Sequence, residues 1–152
     1  MMYLDLTDEK KYAYILKYLL KECDEVTFYF PILDEKTYNI KELAADYKLY
    51  IEEKQKFLKE LFAHGAKQHR SRTYLDSKLG FEAQIIKVKL YAELIERLKS
   101  RHLFEWLWWN GLPEDPCFFT GEKCRFVTVS HEEIFYICDE KNEKSLVQQI
   151  FQ

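Results

Sequence analysis

Glycine and proline are scarce, 4 and 3 residues in a chain of 152. The usual combined share is roughly 12%, so collagen-like, linker-like and low-complexity chains are excluded. Neither sign of charge is in excess: 23 Lys and Arg stand against 26 Asp and Glu, a formal net charge of −3. That balance argues against nucleic acid as the partner of the whole chain and against a disordered acidic tail. Long apolar runs are missing too. The most apolar stretch, Leu103-Phe104-Glu105-Trp106-Leu107-Trp108-Trp109, is short and carries a carboxylate, whereas a membrane-spanning helix needs about 20 apolar residues. No membrane partner is expected. The segment Met1–Glu9 has no basic region followed by an apolar one, so no signal peptide is predicted. Only four cysteines are present, Cys23, Cys117, Cys124 and Cys138. A cytoplasmic protein with reduced thiols is the expectation.

Most catalytic signatures are also absent. Gly65, Gly80, Gly111 and Gly121 lie too far apart for a dinucleotide fingerprint or a phosphate-cradling loop. There is no G-x-S-x-G elbow and no C-x-x-C pair. His131-Glu132-Glu133-Ile134-Phe135 lacks the second histidine of a zinc-protease helix. Cys117, Cys124, His131 and Cys138 recur at intervals of seven. Three Cys and one His make a tetrahedral zinc set. Structural zinc, however, pairs ligands on a tight knuckle, and equal spacing does not place strand residues on one face. No metal and no cofactor are expected.

What the chain has is aromatic bulk, 3 Trp, 11 Tyr and 11 Phe. At this length roughly 68–70% of the unfolded surface can be buried, so the core needs neither disulfides nor metal. Residues 1–152 are read as a single globular domain. Alternation over 2–6 predicts a short strand. Thr7 is the expected N-cap of a helix over 8–23, whose stripe is Tyr12, Ile15, Leu16, Leu19 and Leu20. Val26–Phe30 reads as a strand ended by Pro31. Asn39 and Glu42 resemble a capping box, opening a helix over 40–63 with Gly65 as its stop. For 69–90 a hairpin is favoured, with strands near 69–75 and 81–89 and a turn over Asp76–Gly80. A helix running on to 100 stays open as the alternative, and a helix over 91–99 is expected either way.

Asn110-Gly111-Leu112-Pro113 reads as a helix stop, which makes 103–109 a helix end. There Phe104 would share a face with Trp108, and Trp106 with Trp109. Glu114-Asp115-Pro116 reads as a rigid acidic loop. Three short strands, 117–119, 124–130 and 134–138, follow as an antiparallel meander, with a last helix over 143–151. The fold class is α+β: an antiparallel sheet with a C-terminal three-stranded meander, packed against two or three helices.

Charge is segregated along the chain. Residues 65–101 carry 9 basic and 4 acidic groups; residues 102–152 carry 4 and 9. Either the two segments complement each other or each is a solvated face. His131 with Glu132 or Glu114 is the candidate acid–base pair, since a histidine beside a carboxylate can act as an oriented general base. Arg70, Arg72 and Tyr74 form the one compact basic patch, suited to an anion with Tyr74 as a stacking platform. Trp106, Trp108 and Trp109 belong either to the core or to an interface, where Trp and Tyr dominate hot spots.

Leu112-Pro113-Glu114-Asp115-Pro116-Cys117-Phe118-Phe119, followed by Val129-Ser130-His131-Glu132-Glu133, resembles the C-terminal part of small uncharacterised proteins of low-GC Gram-positive bacteria. Some of these carry a stage III sporulation label. The resemblance covers the last third of the chain and implies no activity, cofactor or functional residue. The N-terminal membrane anchor expected of a sporulation-channel protein is not found here.

Two functions follow as expectations. The first is a cytosolic, non-enzymatic protein-interaction module, of the kind an immunity protein or antitoxin is, whose acidic last third suits a basic protein partner. The second is a small acid–base enzyme using His131 with Glu114 or Glu132, with Arg70 or Arg72 holding an anionic substrate. A homodimer is also expected, through 103–109 or through an edge of the meander, because so much aromatic surface is hard to hide in one small core.

Overall fold

The computed structural model describes residues 2–33 and 47–150. Among them, seven strands form one antiparallel sheet: β1 (Met2–Tyr3), β2 (Glu25–Pro31), β3 (Lys67–Tyr74), β4 (Ser77–Lys89), β5 (Glu114–Thr120), β6 (Lys123–Val129) and β7 (Ile134–Ile137). Their order across the sheet is β1-β7-β6-β5-β2-β4-β3. Four helices, α1 (Glu9–Glu22), α2 (Tyr47–Ala63), α3 (Ala92–Ser100) and α4 (Lys144–Ile150), pack on one face. The class is α+β, and β5, β6 and β7 are the expected meander.

Period-two alternation sorts the strand side chains between two cores. Val26, Phe28, Phe30, Ile86, Val88, Phe118, Phe126, Phe135 and Ile137 meet the helices. Tyr29, Ala83, Ile85 and Cys117 face the other way and gather under Tyr74. β2 lies between β4 and β5, which is why Val26–Phe30 is buried on both faces.

The helix ends follow from local chemistry. Thr7 is not the cap of α1, because its N–H and hydroxyl both donate to Asp5 Oδ1, at 2.9 and 2.7 Å. Asp8 caps instead, accepting from Lys11 N at 3.0 Å. α2 stops as its glycine predicts. Gly65 takes φ +81, Ala66 N donates to Leu61 O, and Gly65 N donates to Phe62 O, a Schellman closure. The Asn39–Glu42 cap lies outside the described residues.

Several expectations change. The hairpin is present, so the long-helix alternative is excluded, but its turn is Leu75–Asp76 and Ser77–Gly80 belong to β4. Both turn residues have positive φ, +46 and +66, the geometry that matches the twist of a two-residue hairpin. Segment 103–109 is not an α-helix end. It is two single 3-10 turns, Leu103–Glu105 and Trp108–Asn110. Trp106 is fully buried, stacked on Phe28 and edge-on to Phe57, and that burial outweighs the weak helix propensity of an aromatic-rich segment. The predicted pairing of faces is lost: Trp106 and Trp108 are buried, while Trp109 is 48% exposed. The meander offers no free edge of the kind expected, since β5 pairs with β2 and β7 with β1.

A leucine in left-handed backbone costs roughly 1–2 kcal/mol, and Leu75 is partly exposed, so little packing offsets that cost. Replacing Leu75 and Asp76 by Asn and Gly is expected to raise the unfolding free energy by about 1 kcal/mol. Urea denaturation at constant m-value measures this, and a lower midpoint would contradict the turn geometry.

Candidate functional site

Proline lacks an N–H and is admitted between paired strands only at a bulge. Pro116 sits in β5 between β2 and β6, and the register slips there: Thr27 pairs with Cys117, but Tyr29 pairs with Glu114. Asp115 absorbs the extra residue in left-handed backbone, φ +52, which aspartate tolerates better than most residues. The Tyr74 hydroxyl is shared between the two carbonyls at the slip, Thr27 O at 2.9 Å and Asp115 O at 2.7 Å. So Glu114-Asp115-Pro116 is no acidic loop. It is the buried beginning of a central strand.

The bulge sends two carboxylates into the protein. Asp115 Oδ1 accepts from Ser130 N at 2.8 Å, and its Oδ2 accepts from the Tyr29 hydroxyl at 3.1 Å. Glu114 Oε1 accepts from Trp108 N at 3.3 Å and lies 2.6 Å from His131 Nε2. The Glu114 side chain is 1% exposed and that of His131 45%. His131 stands on a 3-10 turn, Ser130–Glu132, fixed by the Ser130 hydroxyl on Leu103 O at 3.0 Å. The Trp109 ring meets the imidazole edge-on at 5.2 Å and leans on Trp108, which in turn packs on Tyr50. Gly111 closes the turn with φ +74. A Cβ there would come within 3.0 Å of Glu53 Cβ on α2.

Burial raises the pKa of both carboxylates. For Glu114, desolvation outweighs the attraction of His131 and the Trp108 N–H. For Asp115, it outweighs the Ser130 and Tyr29 hydrogen bonds. Together these groups present a half-exposed imidazole pinned by a buried carboxylate, beside an exposed indole.

The pairing of His131 with Glu114 is thus realised, while Glu132 and Glu133 lie exposed on the same turn. Arg70 and Arg72 are elsewhere. Both are on the edge strand β3, Arg70 2.7 Å from Glu82 and Arg72 donating to Gly80 O at 3.1 Å. Tyr74 is no stacking platform, because it is buried and its hydroxyl is taken by the bulge. Trp106 and Trp108 are core residues, leaving Trp109 as the exposed indole. Cys117 donates to Asp115 O at 3.3 Å and Cys124 to Phe126 O at 3.9 Å, and His131 sits at Glu114. Among the described residues, no group of three or more His, Cys, Asp and Glu is arranged to hold a metal. Tyr29 and Ser130, which hold the Asp115 carboxylate, carry no signal of that role in the sequence; the available signal was a proline inside an apolar β pattern.

Compared with known protein families, with curated proteins and with solved structures, the chain finds no match.

Because the folded pKa of Asp115 is raised, the folded state binds the extra proton between the unfolded value and the folded one. Asp115 therefore favours folding most below its unfolded pKa, and that contribution is lost as pH rises through the folded pKa. Asp115→Asn keeps one of the two acceptors and removes the charge, so a constant loss from the second hydrogen bond is set aside and the change with pH is read. Its stability relative to the parent is expected to rise between pH 4 and pH 7, by about 1.4 kcal/mol for each unit of raised pKa. Urea unfolding at pH 4, 5.5 and 7 measures this. A difference that stays flat or falls with pH would refute the buried-charge account.

Proposed function

We propose that this chain is a non-enzymatic protein-binding module whose docking surface centres on Trp109 and His131 and whose partner is a basic protein. The observation that carries the reading is an exposed indole, seated edge-on against an imidazole that a buried carboxylate holds 2.6 Å away. An aromatic group kept rigid before binding loses little conformational freedom on docking. Charge names the partner. Glu132 and Glu133 are exposed and make no ion pair among the described residues. The described ion pairs leave the basic 65–101 segment unconnected to the acidic 102–152 segment. Self-neutralisation between the two segments therefore loses its support, which favours an acidic surface open to a basic partner. Among the described residues no helix is long and apolar enough to cross a membrane. Cys23, Cys117, Cys124 and Cys138 are free thiols, and a cytosolic setting accords with them.

The same His131–Glu114 distance favours a second reading, acid–base catalysis on an anionic substrate. One observation weighs against it: Arg70 and Arg72 lie on the edge strand β3, engaged within their own hairpin.

Affinity capture from the native host at low salt, with purified parent and Trp109→Ala side by side, separates the readings. The parent is expected to retain a stoichiometric basic partner, and Trp109→Ala to weaken it about thirtyfold, the effect of a hot spot of about 2 kcal/mol. Half of the Trp109 surface is buried, so folding stability should fall by about 2 kcal/mol, and retention is compared at equal folded concentrations of the two proteins. Equal retention by both proteins would refute the docking surface. Turnover lost in His131→Ala but kept in Trp109→Ala would establish the catalytic reading in its place.

A further inference from the structure

A cavity of about 730 Å³ opens between α1 and the end of α3, and neither Trp109 nor His131 lines it. Small organic ligands occupy cavities of about 300–1,000 Å³. Its floor comes from Leu6, Tyr12 and Leu16, all buried, with Leu20 half-buried beyond them. Tyr12, Leu16 and Leu20 are four apart and lie along one line of α1. Ala13 is exposed on the same wall, and its single methyl leaves the space open.

Cations rim both walls. Lys17 stands one turn beyond Ala13, and Lys99 and Arg101 come from the end of α3 and the residue after it. Lys17 and Arg101 make no ion pair among the described residues. Lys99 meets only the exposed Glu96, at 3.5 Å, a pair worth little in water. Two carboxylates also line the cavity, Glu9 and Glu105, but Glu105 lies 3.4 Å from His102 Nε2. The walls are fixed to each other by the Tyr12 hydroxyl, which donates to Leu98 O at 2.6 Å.

We propose that this cavity binds a small amphipathic anion, with its carboxylate or phosphate head at Lys17, Lys99 and Arg101 and its apolar tail along Ala13 and Leu20, over Leu16. Exposed cations above an apolar floor suit a molecule with one charged end and one hydrocarbon end, and neither half of the site suffices alone. This second surface is independent of the docking surface proposed for Trp109.

Isothermal titration of the full chain tests the assignment with four probes: decanoate, decyl phosphate, decanol and inorganic phosphate. At least one of the two anionic amphiphiles is expected to bind at one per chain, with decanol and inorganic phosphate at least tenfold weaker. Tighter decanoate assigns a carboxylate head; tighter decyl phosphate assigns a phosphate head. Lys17→Gln with Arg101→Gln should weaken binding tenfold or more, and Ala13→Trp should abolish it by filling the space. All three positions are exposed, so the urea midpoint should hold, and the double glutamine variant serves alone if Ala13→Trp misfolds. Decanol binding as well as decanoate, undiminished binding to the variants, or no binding by either amphiphile would overturn the proposal.

Discussion

A proline in a paired strand forces a choice between losing the strand and bending it, and here the strand bends. Pro116 cannot donate to a neighbour, so β5 slips by one residue against β2 and Asp115 takes the left-handed turn. Everything at the candidate site follows from that slip. Two consecutive side chains of a regular strand point to opposite faces, but at this bulge Glu114 and Asp115 reach the two neighbouring segments that build the site. Glu114 takes the Trp108 N–H and His131, and Asp115 takes the Ser130 N–H. Tyr74, the last residue of β3, crosses the open face of the sheet to the disturbed carbonyls. It thereby ties the far hairpin to the same point.

The two buried acid clusters of the fold show what separates a structural anchor from a presented group. Glu143 is buried against Arg125, with nitrogen–oxygen distances of 2.7 Å to both carboxylate oxygens, and also accepts from Tyr18. Arg125 spends a remaining donor on Glu22 O at 3.1 Å. Such a bidentate pair is satisfied within the protein and fixes the start of α4 to β6. Glu114 is as deeply buried, but its partner is a histidine with nearly half its surface in solvent. Removing one member of a buried pair leaves the other uncompensated. In the first cluster that consequence falls on folding. In the second it also falls on the orientation of His131 and, through ring contact, of Trp109.

How much of this was legible from the residues alone divides along one line. Where local pattern decides, the sequence was sufficient: the stripe of α1, the glycine stop of α2, the β-branched run of β2 and the meander are read directly from spacing. Where a distant partner decides, it was not. Trp106 leaves helical geometry because Phe28 and Phe57, far away in the chain, accept its ring. Glu114 and Asp115 look solvated because they are charged and stand beside proline, and only the strands on either side reveal them as strand residues. Thr7 loses its cap role to Asp8 through a competing acceptor two residues back, Asp5. Of the site, the His131–Glu114 pair was visible as a juxtaposition of chemical types. The choice of Glu114 over the adjacent Glu132 was not, because it depends on which carboxylate the bulge turns inward.

Charge segregation in the chain survives folding, and this shapes the surface more than the core does. Arg70 pairs with Glu82, Lys87 with Glu25, Arg97 with Glu60 and Lys99 with Glu96. Each of these carboxylates comes from outside the acidic last third. That third answers with its own cations, Lys123 to Asp139 and Arg125 to Glu143. Pairing is thus resolved within neighbourhoods. Lys17 and Arg101, outside any described ion pair, edge the α1–α3 cavity with positive charge, while Glu132 and Glu133 follow His131 as exposed negative charge. Fields of opposite sign on separate surfaces attract different ligands and repel each other's. A chain with a net charge of only −3 can therefore carry local charge of both signs on separate parts of its surface.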